Sequence, residues 1–345
     1  IQKMSRLKDE EAGLRAHDLE KIRAKRIVFI IDECHRSTFG DMLIDIKQSF
    51  KGAVFFGFSG TPIHKENTRK DNTTTDVFGD ELHRYSIADG IRDKNVLGFD
   101  PYQVRTYRDR DLKQAVALEK AKAATPAEAI ADPKKKKVFN HYMSEVPMAG
   151  YRDGAGVYQT GIEDYLPNNQ YSREEHQNAV IQDITNNWVT LSQDGKFHAI
   201  FATHSIREAI TYYRLFKQQC SKLKITALFD PNIDNDDDST GNVTFKTNGL
   251  VELLEDYNQA YGQNFDLGSH GKFKKDIAAR LAHKKPYNRI ETDKAKQLDL
   301  LIVVDQMLTG YDSKWVNTLY LDKVLQYESI IQAFSRTNRL FGPDK

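Results

Sequence analysis

Arg26-Ile27-Val28-Phe29-Ile30-Ile31-Asp32-Glu33-Cys34-His35 is an unbroken apolar run that stops at two adjacent carboxylates. Strands buried on both faces read this way, because crossover helices cover both sides of a parallel sheet and leave no polar alternation. Four further runs share the pattern: Ala53 to Phe58, Phe197 to Thr203, Lys224 to Phe229 and Leu300 to Asp305. Helical stretches lie between and around them, at Met4 to Lys25, Phe39 to Phe50, Ser205 to Cys220 and Ser329 to Arg339. This alternation predicts an α/β fold with right-handed crossovers, whose functional groups gather at the carboxyl ends of the strands. The strands fall into two groups, one ending near Tyr85 and one starting near Phe197, so two parallel-sheet layers are expected.

Two interruptions separate these groups. Gln114 to Ile130 is rich in Ala and Lys, and Asp132, Pro133 and Lys134 to Lys137 break it, which suits a linker or inserted helical element over about 108–175. The stretch from Asp230 to about Asp293 opens on DPNIDNDDD, with five acidic residues in nine, and reads as an insertion rather than core. The four lysines Lys134 to Lys137 read as a solvated loop, and Lys272, Lys274, Lys275, Arg280, Lys284 and Lys285 as solvated charges compatible with a helix, with DNA-backbone contact the minority reading for both and the better candidate in the second. Lys+Arg of 50 against Asp+Glu of 49 leaves a net charge of +1, so a polyanion would have to be met by local patches. Cys34 and Cys220 are the only cysteines, and no apolar run approaches the roughly 18 residues of a membrane span. A reducing cytoplasm and no membrane partner are the expectation.

Asp32 and Glu33 close a buried strand, where neighbouring residues point to opposite sides, so the two carboxylates are expected to do different work. In a nucleotide-hydrolysing site one carboxylate holds Mg²⁺ and the next polarises the attacking water. Asp32 takes the metal and Glu33 the water on this reading. Cys34 and His35 diverge for the same reason, which argues against a thiolate and base dyad. Gly57-Phe58-Ser59-Gly60 lacks the spacing of a hydrolase nucleophile elbow, since its second glycine falls one residue early. Near the C-terminus, Gln332, Arg336 and Arg339 share one face of the expected helix and so one ligand.

Taken in order, these segments resemble the boxes of superfamily 2 helicases. Asp32-Glu33-Cys34-His35 resembles motif II, the DExH box, and Phe58-Ser59-Gly60-Thr61-Pro62 resembles motif III. Ile200 to Ser205 resembles motif IV, Asp305-Gln306-Met307-Leu308-Thr309-Gly310-Tyr311-Asp312 motif V, and Gln332 to Arg339 motif VI. Within that superfamily the wording IDECHRS, GFSGTP, QMLTGYDS and IIQAFSRTNR is most similar to the motor (R, or HsdR) subunit of type I restriction endonucleases. The resemblance implies two tandem RecA-like parallel-sheet domains, the first incomplete at its N-terminus. Residues 1–97 would hold motifs II and III, and 98–345 the linker, then motifs IV, V and VI around an insertion at about 230–293.

What the resemblance implies about function is an ATP-dependent translocase of double-stranded DNA, in a bacterial cytoplasmic complex with methyltransferase and specificity subunits. ATP and Mg²⁺ would be its cofactors. Asp32, Glu33, His35, Gln332, Arg336 and Arg339 would be catalytic, with Arg339 in the arginine-finger position. Gly310 and Asp312 would join Asp32 and the two arginines in holding nucleotide, while the hydroxyls of Ser59, Thr61 and Thr309 would couple it to the DNA track. The carboxylates and motif VI are expected to face each other across a water-filled cleft. Alternatives are another superfamily 2 DNA translocase, an RNA helicase, or a nucleic-acid-binding module without catalysis. The sequence contains no GxxxxGK[ST] loop, and a chain that starts at Ile1-Gln2-Lys3 reads as an excerpt taken downstream of that loop. Without the backbone cradle that grips the β- and γ-phosphates, the isolated 345-residue chain should hydrolyse little ATP. Phosphate release measured with and without long duplex DNA checks this, and robust turnover would show that the cradle is dispensable.

Overall fold

A computed structural model of the chain describes residues 21, 24–37, 41–65, 73–167, 169–230, 240–308, 310–325 and 328–342. The helix expected over Met4 to Lys25 lies largely outside the described residues, as does the acidic run after Asp230. Two compact units divide the chain: residues 1–98 together with 324–345, and residues 99–323.

In the first unit, β1 (Val28–Ile31) and β2 (Val54–Gly57) pair in parallel, with Phe29 opposite Phe55 and Ile31 opposite Gly57. Helices α1 (Cys34–Ser37) and α2 (Asp41–Ser49) form the crossover between them. One face of the pair is packed: Phe29 and Phe55 stack with centroids 4.7 Å apart, and Ile31, Cys34 and Leu43 are buried beside Val77 and Phe78. On the other face Val28, Ile30, Val54 and Phe56 remain exposed, Ile30 by 72%. Helices α3 (Thr74–Phe78) and α4 (Ile87–Arg92) follow, each started by a capping box, Thr73 with Asp76 and Ser86 with Asp89. A C-terminal helix, Glu328–Phe334, belongs to this same unit.

The second unit opens with helices, not a strand. α5 (Asp109–Ala121), α6 (Pro126–Ala131) and α7 (Pro133–Asn140) pack Ala117, Ala121, Ala129 and Phe139 into a small core. Lys134 to Lys137 lie in the first turns of α7, not in a loop: Asp132 accepts from the amides of Lys134 and Lys135, and Pro133 suits the first helical position. A short antiparallel hairpin, β3 (Tyr151–Arg152) with β4 (Tyr158–Gln159), leads to the long helix α8 (Glu174–Leu191).

The main sheet is parallel throughout, in the order β6 (Ile225–Leu228), β7 (Leu300–Val303), β5 (His198–Thr203), β8 (Val316–Asp322). Every residue of β5 and β7 is buried, as their uniform apolar patterns require. Helix α9 (Ile206–Gln219) lays Tyr212 and Phe216 against Phe201, with ring centroids 4.8 and 6.3 Å away. The stretch read as an insertion supplies core instead. Its helices α10 (Thr240–Tyr261) and α11 (His270–Leu281) bury Leu250, Leu253, Leu254, Tyr257, Phe273, Ile277 and Leu281. Gly249 permits the approach of α10 to α9, since a Cβ there would stand 2.5 Å from Ile210 Cδ1.

Arg280, expected on the surface, is buried with its donors satisfied by Asp276, Tyr287 and the Lys296 carbonyl at 2.6–2.9 Å. Tyr257, Tyr261 and Tyr287 place their rings 4.0–5.4 Å from its guanidinium carbon. A second polar group is sealed at the start of β5, where His198 Nε2 lies 2.8 Å from His283 Nε2. The His283 ring stacks on Trp315 at 3.7 Å, and its Nδ1 lies 3.2 Å from Glu291.

Burial, helped by the neighbouring His283, pushes His198 down to about 3. An unfolded histidine titrates near 6.5, so below that pH the unfolded chain binds a proton that the folded chain refuses. Stability from this group is therefore complete above pH 6.5 and is lost as the pH falls toward 3, by on the order of 2 kcal/mol at pH 5. Urea-unfolding midpoints at pH 7 and pH 5 should fall more steeply for the native chain than for His198→Gln, and equal slopes would contradict the burial argument.

Candidate active site

β1 ends at Ile31, and the chain turns at Asp32 and Glu33 before α1 begins at Cys34. The two carboxylates thus sit in a turn and not in the strand itself. Glu33 adopts φ +49°, a left-handed conformation that costs a residue with a Cβ about 1 kcal/mol. That turn swings Cys34 inward, where it is fully buried, while Asp32 stays exposed and Glu33 partly so. Backbone bonds extend the parallel pairing through the turn: Phe58 N–H donates to Ile31 O at 2.8 Å, and Cys34 N–H to Phe58 O at 2.9 Å. Asp32 Oδ1 accepts from the Glu33 amide at 2.9 Å.

Burial raises the Cys34 thiol above its ordinary range, and the charges of Glu33 and Asp32 add to the effect. A thiol held protonated is not a nucleophile. Gly57 makes room for it, because a Cβ at that position would meet Cys34 Sγ at 2.9 Å and the Phe78 ring at the same distance. The sequence shows Gly57 only within the stretch weighed as a nucleophile elbow, not as the space for a buried thiol. Its only signal is a glycine closing an otherwise bulky strand.

His35 is buried and joins three segments. Its Nδ1 lies 2.8 Å from Ser59 Oγ and 3.4 Å from Glu33 Oε2, and its Nε2 lies 3.2 Å from Gln332 Nε2. Gln332 Nε2 also donates to Thr61 Oγ1 at 3.1 Å, and the Thr61 amide donates to Ser59 Oγ at 3.0 Å. An amide nitrogen can only donate, so His35 Nε2 is the bare, accepting nitrogen and the ring proton sits on Nδ1. Ser59 Oγ then accepts from both His35 and Thr61. The segments read as motifs II, III and VI meet in this one hydrogen-bonded node, and Gln332 touches His35 and Thr61 directly where a water-filled gap was expected.

The C-terminal helix stops at Phe334, short of the expected Arg339. Arg336 and Arg339 therefore do not share a helical face. Arg336 Nε turns back to the Gln332 carbonyl at 2.9 Å, and Arg339 follows Asn338, whose carbonyl accepts from the Leu97 amide at 2.8 Å. In the second unit, Asp305 Oδ1 accepts from Lys323 Nζ at 2.7 Å. Met307 and Gly310 adopt left-handed φ of +62° and +69°, and Asp312 is exposed. Thr309 lies outside the described residues. Lys323 escaped sequence reading because nothing local marks a lysine that reaches back 18 positions.

Known proteins give these segments a common context. The family model for type I restriction enzyme subunit R domain 3 matches residues 195–345, and that for the SWI2/SNF2 ATPase matches residues 1–140. The chain is 36% identical over 331 residues to a type I restriction enzyme endonuclease subunit of Staphylococcus aureus strain MSSA476, covering 94% of this chain and 30% of that protein. A corresponding subunit from strain COL is 35% identical across 99% of this chain and 31% of that protein. A putative type I endonuclease subunit of Methanocaldococcus jannaschii is 27% identical over 91% of this chain and 24% of its own length. The chain thus spans under a third of the length of these relatives, and the resemblance to their family holds along nearly all of it.

The node fixes a tautomer that can be read directly. Nitrogen-15 NMR should show His35 protonated at Nδ1 and bare at Nε2. Gln332→Glu replaces the donor with an acceptor and should place a proton on Nε2. The same tautomer in both proteins would refute the arrangement.

Proposed function

Because this chain is related along 94% of its length to endonuclease subunits of type I restriction enzymes, we propose that it is the motor portion of such a subunit, an ATP-dependent translocase of double-stranded DNA. The observation that supports this reading is the His35 node. A helicase-like motor must make the water-activating carboxylate respond to the segment that senses the γ-phosphate, and here the residue two places from Glu33 is bonded to Gln332 of motif VI.

Asp32 is the proposed Mg²⁺ residue. No cluster of three or more His, Cys, Asp or Glu side chains suited to a metal occurs among the described residues. As an exposed carboxylate just past β1, Asp32 suits Mg²⁺, which takes one or two carboxylates and completes its shell with water and phosphate oxygens. When bound, the ion supplies positive charge to the phosphates. Glu33 orients and deprotonates the attacking water, with His35 Nδ1–H facing its carboxylate at 3.4 Å. Arg339 neutralises charge developing on the transferred phosphoryl group, and Arg336 holds the chain between it and Gln332. Gly310 and Asp312 complete the proposed nucleotide set, and Ser59, Thr61 and Thr309 carry the signal to the DNA track.

Duplex DNA would be gripped through its sugar-phosphate backbone with little base readout, since a translocase passes every sequence. Methyltransferase and specificity subunits are the proposed partners, and the bacterial cytoplasm the proposed location. No helix among the described residues is long and apolar enough to cross a membrane.

In the full-length protein, Glu33→Gln should retain ATP binding while hydrolysis falls by about 10²–10⁴-fold, the usual contribution of a general base. Arg339→Ala should lower hydrolysis by about 10³-fold and spare DNA binding. Nucleotide titration with steady-state phosphate release separates the two effects, and wild-type turnover by Glu33→Gln would end the motor assignment.

A further inference from the structure

Residues 99–323 form one compact unit, and the chain enters it at Phe99 and leaves it at Lys323. Just inside both connections lies the same side chain. His176, on the first turn of α8, is buried, with Nδ1 2.7 Å from Thr106 Oγ1 and Nε2 2.9 Å from Asp322 Oδ1. Thr106 belongs to the incoming connection and Asp322 is the last residue of β8, so the two bonds span 70 and 146 positions of sequence.

The chemistry of the cluster sets each proton. Asp322 Oδ1 accepts from His176 Nε2–H, and His176 Nδ1 accepts from the Thr106 hydroxyl. The other Asp322 oxygen accepts from Tyr212 of α9 at 2.5 Å. Tyr107 lies nearly parallel to the imidazole, with centroids 6.3 Å apart and 15° between planes, and Tyr171 meets it edge-on at 5.3 Å. These rings fix the orientation of a group whose nitrogens are both engaged. The grip continues outward, because Lys323 donates to Val304 O at 2.9 Å and to Asp305 Oδ1 at 2.7 Å, at the start of motif V.

We propose that His176 is a positioning residue that clamps both connections of this unit to its sheet, so that displacement of the segment leading to motif VI is passed to motif V instead of being absorbed in slack chain. The proposal rests on the motor reading for its functional consequence and on geometry alone for the clamp. Coupling between two sites requires an element whose arrangement both can bias, and a freely pivoting connection transmits nothing.

The test uses the full-length protein with His176→Phe, which keeps the ring packing and removes both hydrogen bonds, and with Thr106→Val and Thr106→Ser. Hydrogen exchange should accelerate in His176→Phe at amides near Thr106 and near Asp322 together, while β5 and β7 stay protected. Unchanged exchange at either connection would overturn the clamp whatever the protein's activity.

In the same preparations, DNA-independent ATP hydrolysis should keep its kcat and KM. ATP consumed per base pair translocated should rise about tenfold, within the usual range of intramolecular coupling. Thr106→Val should move the ratio in the same direction, and Thr106→Ser, which keeps the hydroxyl, should restore it. Faster exchange with normal coupling would leave the clamp purely structural and refute the positioning role. A native protein without DNA-dependent hydrolysis would instead refute the motor reading, with the exchange result still deciding the clamp.

Discussion

A buried imidazole is stabilised by partners for both nitrogens, and at His35 those partners bind segments far apart in the chain. One nitrogen meets Ser59, 24 residues on, and the other meets Gln332, 297 residues on. A buried polar group left without a partner costs about 1–3 kcal/mol, so these contacts hold the segments together. The same burial explains why Glu33 tolerates a left-handed backbone. Turning there is the way to bury Cys34 and His35 while Asp32 and Glu33 stay toward solvent. Strain at one residue is offset by packing and hydrogen bonding at the next two.

Parallel strands advertise themselves because burial on both faces leaves continuous apolar runs, and all five expected runs contain strands. Such runs also state what a strand is built to bury. In β1 and β2 the described residues cover one face, and Ile30 and Phe56 on the other are exposed. β8 was illegible for the opposite reason. It is an edge strand, and Asn317, Thr318 and Asp322 dilute its apolar pattern while most of its residues are half-buried.

Elsewhere a real signal was outweighed. Leu250, Leu253, Leu254 and Tyr257 recur at helical spacing along one buried face, but the acidic run upstream made the whole stretch read as an insertion. Arg280 reads as one more charge in a basic segment, and only the fold reveals the three tyrosine rings around it. Composition describes what surrounds a residue in the chain. Burial depends on what surrounds it in space.

The segment read as motif VI shows the same limit at the site. Ser335 and Thr337 turn their hydroxyls back onto the carbonyls of Ile331 and Phe334, competing with helical bonding, and the helix read through to Arg339 ends at Phe334. Arg336 then serves the backbone, donating to the Gln332 carbonyl left over at the helix end. Arg339 stands on an irregular stretch whose position is set by the bond from the Leu97 amide to the Asn338 carbonyl. On the motor reading this divides the labour of the segment. Gln332, on the helix, is fixed to His35 and Thr61, while Arg339 stands past the helix end on backbone tied to Leu97. A helix that stops at Phe334 thus gives the two residues different supports: side-chain hydrogen bonds hold Gln332, and a backbone bond to Leu97 holds the stretch that carries Arg339.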